Sequence, residues 1–340
     1  MIPLCLPLVL LPTKHTSDAP TCLVLDLDVA GRLEQSWPDD GVSTALTLPR
    51  SRLELGLTSG QHRARVAAIA ARTGGLGSST GVSGEAIVPV LQIAEAAWIG
   101  PNLTIAAGLI DDPWVVLGND DWGLRAAAPS LGESVGWMDR SDLGISAAWG
   151  APDSFVSAIA TFTSGEGANF AERNNGKNTT AMLIARPVPD RPELLTVSLM
   201  GRDGSRGLDS ARDHRAGGRI TAALPPVRLG GEVLTAWGVG GDIERTPVGL
   251  STWAEGTLPL SLTVFARFDQ TTEDVDESTT RILRGGVTWG AEPVDVILGV
   301  EHTDADDQAV TVAGAGAFEE QTTLYVLLHV RQGGSVVLTP

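Results

Sequence analysis

The sequence predicts an all-β fold, a transmembrane antiparallel β-barrel of about 16 strands. Three observations lead there. From about Arg50 to Arg331, short stretches recur in which every second residue is apolar, each ended by Gly, Pro, Asn or Asp. A period of two is the signature of a strand, because successive side chains leave opposite faces of a sheet. Next, the connections between these stretches alternate strictly between short and long. Finally, no uncharged apolar run reaches the ~18 residues that a helical span needs, whereas a barrel strand needs only about ten, half of them apolar.

In chain order the strands are read at 21–34, 47–59, 62–71, 86–97, 102–111, 139–150, 154–163 and 178–187. The second eight follow at 194–202, 212–224, 228–238, 247–256, 259–268, 280–290, 293–302 and 321–332. Leu53, Leu55 and Leu57 oppose Arg52, Glu54 and Thr58; Leu103, Ile105, Ala107 and Leu109 share a face. Leu262, Val264, Ala266 and Phe268 stand against Ser261, Thr263 and Arg267, and Val294, Val296, Leu298 and Val300 against Asp295, Gly299 and Glu301. In a barrel the aliphatic face meets lipid and the charged face meets the lumen.

The short connections fall at 60–61, 99–102, 151–153, 187–192, 225–226, 257–259 and 291–293, and the long ones at 35–46, 72–85, 112–138, 164–177, 203–211, 239–246, 269–279 and 303–320. Tight turns on one rim and extended loops on the other are the sidedness of an outer-membrane barrel, with both termini on the periplasmic rim. A Greek-key sandwich would mix long and short links at both ends. Trp98, Trp149, Trp253 and Trp289 fall at the periplasmic ends of strands and Trp237 at an outer end, as an interfacial girdle would place them.

The longest connection, 112–138, carries Asp120, Asp121, Arg125 and Glu133 with three Trp. A barrel this wide otherwise encloses an open aqueous channel, so this loop is the candidate to fold inward as a constriction, its middle forming a short helical turn. Arg52, Arg63, Arg65, Arg140, Arg219, Arg228, Arg267, Arg284 and Arg331 alternate onto the inward face, joined by Glu54, Glu232, Asp295 and Glu301; Arg186 is ambiguous. Inward charges of both signs set up a field across a pore and bias permeation by sign. Charges that only pair across neighbouring strands would solvate the wall without that bias.

Of 340 residues, only Lys14 and Lys177 are lysine, and the net charge is −17. That balance argues against nucleic acid, whose phosphates demand basic surface. Both cysteines, Cys5 and Cys22, lie near the N-terminus, where residues 1–19 read as a signal peptide with an apolar stretch from Ile2 to Leu11. Residues 20–332 are assigned to the barrel and 333–340 to a C-terminal extension. The acidic segments 269–277 and 301–307 lack EF-hand spacing and read as solvated loop tips, placed to meet cation-bridged lipopolysaccharide. No cofactor is implied. Ser79 in "GSSTG" fits the letters of a nucleophile elbow, but no strand-to-helix pattern surrounds it, and the five histidines lack metal spacing.

Several stretches resemble the phosphate-selective porin O and P family: "NNGKNTTAMLIARP" (174–187), "WMDRSDLGISAAWG" (137–150) with Arg140 and Gly144, "LGGEVLTAWG" with Glu232, and "LTVFARFDQTTED" with Arg267 and Asp269. The resemblance implies a sixteen-stranded homotrimer in the bacterial outer membrane, inserted by the barrel assembly machinery, that passes small hydrophilic solutes by passive diffusion. Those porins draw anions with lysine clusters, and here Lys177 is the sole counterpart. The expectation is a non-enzymatic diffusion channel. The other readings are a structural or adhesive barrel with a plugged lumen, a barrel enzyme using Ser or Asp beside His62 or His214, and a soluble β-sandwich module.

Overall fold

The computed structural model describes residues 21–38, 41–73, 86–151, 154–168, 176–188, 190–206, 211–239, 245–273, 278–305 and 320–339. The strands are β1 (Thr21–Pro38), β2 (Ser43–Ser59), β3 (His62–Thr73), β4 (Ala86–Ile99), β5 (Leu103–Asp111), β6 (Ser141–Trp149), β7 (Val156–Thr163), β8 (Asn178–Ala185) and β9 (Leu195–Asp203). A two-stranded ribbon of β10 (Ser205–Arg206) and β11 (Ala211–Arg212) follows. The wall resumes with β12 (His214–Leu224), β13 (Val227–Trp237), β14 (Val248–Leu258), β15 (Leu262–Thr272), β16 (Thr279–Ala291), β17 (Val294–Ala305) and β18 (Gln321–Thr339).

Apart from the ribbon, these strands pair antiparallel with their neighbours, and β18 closes on β1, giving a barrel of 16 strands. Closure satisfies every ladder edge, which an open sheet in lipid would leave bare. Among the described residues no helix is long and apolar enough to cross a membrane. The soluble-sandwich alternative fails on this closure and on the outer surface, where Leu53, Leu143, Leu199 and Leu283 are each more than half exposed. A water-facing sheet would carry polar residues there.

Each of the sixteen expected strands is present. The largest departure in length is at the C-terminus. Strand β18 does not stop at 332: residues 333–339 continue it, with Gly334 opposite Leu25 and Val336 opposite Leu23. The expected extension is wall, because β1 begins early enough to give those residues a partner. The segments 1–19 and 77–81, with the signal-peptide reading and Ser79, lie outside the described residues. So do 274–277 and 306–319; Asp269 belongs to β15 and Glu301 to β17.

Trp98, Trp149 and Trp289 stand exposed on the outer face, as a girdle requires, and Trp237 is half-buried on that face. Trp253 does not. It alternates with Ser251 onto the inner face, opposite Gly230, where any side chain would collide with the indole. Its position at a strand end was no guide to its face; parity along β14 decides it.

Candidate functional site

The connection between β5 and β6 runs inside the barrel. Helix α1 (Pro113–Trp122) opens it, and its start is written locally: Asp112 accepts from the Trp114 and Val115 amides at 2.9 and 3.1 Å, and Pro113 takes the first turn. Gly123, at φ 76°, ends the helix in the left-handed region and donates to the Asn119 carbonyl at 2.8 Å. The short α2 (Leu131–Ser134) follows. The expected helical turn in the middle is present, with the Ala128 amide donating to the Leu124 carbonyl at 3.2 Å and α2 following; the longer helix at the start of the loop was not expected. "DP" followed by an apolar run is the signal that marked it.

Three wall arginines fasten the loop. Arg219 of β12 donates to the Trp114 carbonyl at 2.9 Å, pairs with Glu232 of β13 at 3.2 Å and lies 4.1 Å from the Trp114 ring. Glu232 in turn accepts from the Trp114 indole at 2.8 Å. Gly118 permits this approach, since a methyl group there would meet the Arg219 guanidinium. Arg215 donates to the Trp137 carbonyl at 2.8 Å, and Arg267 of β15 to the Pro129 carbonyl at 2.7 Å while paired with Asp269 at 2.8 Å. Behind these bonds, Trp114, Leu131, Trp137 and Met138 of the loop pack on Ile159, Met182, Met200 and Leu234 of the wall. A second apolar contact joins Trp122, Ala126 and Ala127 to Trp253, Phe265, Ile297 and Leu327.

The inner wall of β1–β4 is different: it is rich in charged side chains, with Ala30, Ala67 and Ile93 between them. Arg50 is ion-paired to Asp28, and Arg52 to Glu54 at 2.5 Å. Arg63 and Arg65 share Glu95 at 2.9 and 2.7 Å, and Arg65 reaches Asp111 at 2.6 Å. Arg140, just before β6, lies 3.8 Å from Asp111. Facing this wall, the loop presents Asp120, Arg125 and Glu133, the last two paired with each other. Asp120 is exposed to the lumen, yet the enclosing walls withdraw enough water to raise its carboxyl above the usual range, against the pull of Arg140, Arg50 and Arg52. Burial likewise raises Asp121, which has Arg219 at 3.6 Å and Asp120 beside it. Burial would raise Glu133 too, but Arg125 outweighs it and holds the carboxyl low. Burial and the neighbouring Arg125 lower Arg140.

No protein-family model matches this chain, and no curated protein is similar to it in sequence. Solved structures are similar in shape. The anion-selective porin of Comamonas acidovorans superposes at TM-score 0.67 with 11% identity, over 92% of this chain and 100% of that one. The fold is the porin fold. OmpF of Salmonella typhi, solved with daunomycin, matches at 0.67 and 12% over 91% and 97%. In-vitro folded OmpT of Vibrio cholerae, in a trimer form, matches at 0.60 and 11% over 91% and 99%. At such identities the likeness establishes the architecture shared with outer-membrane porins.

Set against this architecture, the sequence-based candidates divide. Arg52, Glu54, Arg63, Arg65 and Arg140 gather on the wall opposite the loop, where Asp120, Arg125 and Glu133 face them. Arg219, Glu232 and Arg267 lie against the loop itself, and Arg228 stacks on Trp253 at 5.4 Å. Arg284 bridges Asp269 and Glu301 on the wall farther round. Asp295 and Arg331 pair at 2.7 Å beside the short-turn rim, away from the loop. Four charged residues of this region escaped notice: Arg50, two residues before Arg52 on the same face, Asp28 and Asp111, which pair with Arg50 and Arg65, and Glu95, flanked by alanines. Parity along β2 would have found the first.

Proposed function

We propose that this protein is a porin of the bacterial outer membrane, a non-enzymatic channel through which small hydrophilic solutes or ions diffuse. One observation carries the reading: the 112–138 loop lies inside a closed 16-stranded barrel and leaves a charged wall uncovered on one side. A plugged or adhesive barrel would have no reason to keep buried ionic groups of both signs facing a single gap, since burying charge is costly without water or a partner. In this reading, Arg50, Arg52 and Arg140 form the positive side of the aperture and Asp120 its negative side. The field between them orients and sorts what passes.

The candidates thereby take separate roles. Arg52, Glu54, Arg63, Arg65 and Arg140 line the water path with Asp120, Arg125 and Glu133. Arg219, Glu232 and Arg267 anchor the loop. The pairing of Asp295 with Arg331 serves the periplasmic rim. The finer resemblance to phosphate-selective porins is carried here only as the Arg-rich wall, with guanidinium where that family uses lysine. Association into a trimer, the form in which OmpT of Vibrio cholerae was solved, belongs to the same proposal. So do insertion by the assembly machinery and contact of the outer loops with lipopolysaccharide.

The test is conductance. Detergent-purified protein added to a planar bilayer in potassium chloride should insert in discrete steps of ohmic current. Folded protein that inserts and carries no current would overturn the channel reading.

A further inference from the structure

On the long-loop side of the constriction the lumen holds a pocket of about 400 Å³, between the loop and the outer halves of β15, β16, β17, β1 and β2. Its lining is of two kinds. Pro49, Ala127, Pro129, Val135 and Ile282 are apolar. Among them stand three guanidinium groups, Arg32, Arg125 and Arg284, and three carboxylates, Glu133, Asp269 and Glu301. The lining charges are equal in number and each is paired: Arg284 spans Asp269 and Glu301, Arg125 holds Glu133, and Arg32 lies 4.1 Å from the Tyr325 ring and pairs with Glu34, outside the lining, at 2.6 Å.

We propose that this pocket is a binding site for zwitterionic solutes with a small apolar body, an ammonium and a carboxylate on one aliphatic group. The inference rests on the channel reading and names a solute class for it. A lone anion or cation entering a balanced ring displaces one partner of an existing pair and leaves the other uncompensated. A zwitterion presents its carboxylate to Arg32 or Arg125 and its ammonium to Glu133 or Glu301, so neither sign is left bare. The apolar lining residues then take the aliphatic body, which a polyol or an inorganic ion does not supply. The volume is in the range of sites that hold one small molecule.

The experiment uses three matched probes on single channels of the full protein in potassium chloride: leucine, 4-methylpentanoate and isoamylamine. The second lacks the ammonium of leucine and the third lacks its carboxylate. Leucine should reduce the current saturably, with a half-blocking concentration about tenfold below either singly charged probe, as two charge-assisted contacts in place of one predict. Thr271→Trp and Ile282→Trp fill the pocket from two different strands. Each should remove the leucine advantage when block is scored against that variant's own potassium chloride current, which also shows that the variant has folded. Equal potency of the three probes on conducting channels overturns the zwitterion site and leaves the channel standing. So does a singly charged probe that blocks best, or a leucine advantage that survives both tryptophans. Absence of any potassium chloride current in the wild type removes the channel and the pocket's role with it.

Discussion

The lumen wall of this barrel has two halves, and they obey different chemistry. Along β7–β9 and β12–β15 the inner face carries the apolar Ile159, Met182, Met200, Leu234, Trp253 and Phe265, with the ion-paired Arg219 and Arg267 set among them. Along β1–β4 it carries Arg50, Arg52, Glu54, Arg63, Arg65 and Glu95. The loop accounts for the difference. Where it covers the wall, inward residues are packed against it and apolar side chains are favoured by burial. Where it stops, inward residues meet the lumen and must be polar. The general alternation of apolar-out and polar-in is interrupted where the loop packs, at Ile159, Met182, Met200 and Leu234, and returns in the same half at Arg215, Arg219 and Arg267, which hold the loop.

Breaking the covered half should have the largest effect. Trp114→Ala or Leu131→Ala removes a fully buried side chain from between loop and wall. The first should cost about 3–5 and the second about 2–5 kcal/mol of stability. Loosening the loop should also raise single-channel conductance, with larger and noisier steps than wild type. Thermal unfolding in detergent, read beside bilayer current, checks both outcomes. Conductance unchanged in a destabilised variant would mean that the loop does not limit flow.

Neutralising the bare half should act chiefly on selectivity, with a smaller cost in stability from the carboxylates left unpaired. Arg50→Gln with Arg52→Gln removes positive charge from one side of the aperture. Cation over anion permeability should rise roughly fivefold, about 1 kcal/mol of preference for charges at close range in water. Reversal potentials across a potassium chloride gradient measure it. The same substitutions should move the unfolding temperature far less than Trp114→Ala does.

Acidification should sharpen the contrast by the smallest step. Asp120 and Asp121 have carboxyls raised chiefly by burial. Protons therefore bind them at a higher pH than an ordinary aspartate, and their negative charge is lost as pH falls. Anion permeability should rise relative to cation permeability, starting above the usual carboxylate range. Asp120→Asn should reduce that shift at every pH. A selectivity that moves toward cations on acidification would contradict the assignment.

Much of this was written in the sequence, and what was hidden has a physical reason. The sixteen strands were legible because every outward face reads as aliphatic against turn residues. Strand β18 was cut short because "GGSVVLT" lacks clean alternation, and only its partner β1 fixes where it ends. The inward loop was legible from its length, but its helix was overlooked at Asp112–Pro113. Met182 and Ile184 were the least readable: both point inward in an apolar run, and nothing local says that a loop 50 residues earlier in the chain covers them. The anchors Arg219 and Arg267 share strand parity with the aperture charges, so alternation alone could not separate holding the loop from lining the path.

The measurement that tests the two-sided lumen most directly is thiol accessibility under current. Cysteine is placed singly at position 50, on the bare wall, and at position 200, behind the loop, and a charged, water-soluble methanethiosulfonate reagent is added to conducting channels. Modification of Arg50→Cys should change the current promptly, and Met200→Cys should stay unmodified with its current steady. Rapid modification at position 200, or none at position 50, would place the water path on the other side of the loop and contradict this assignment.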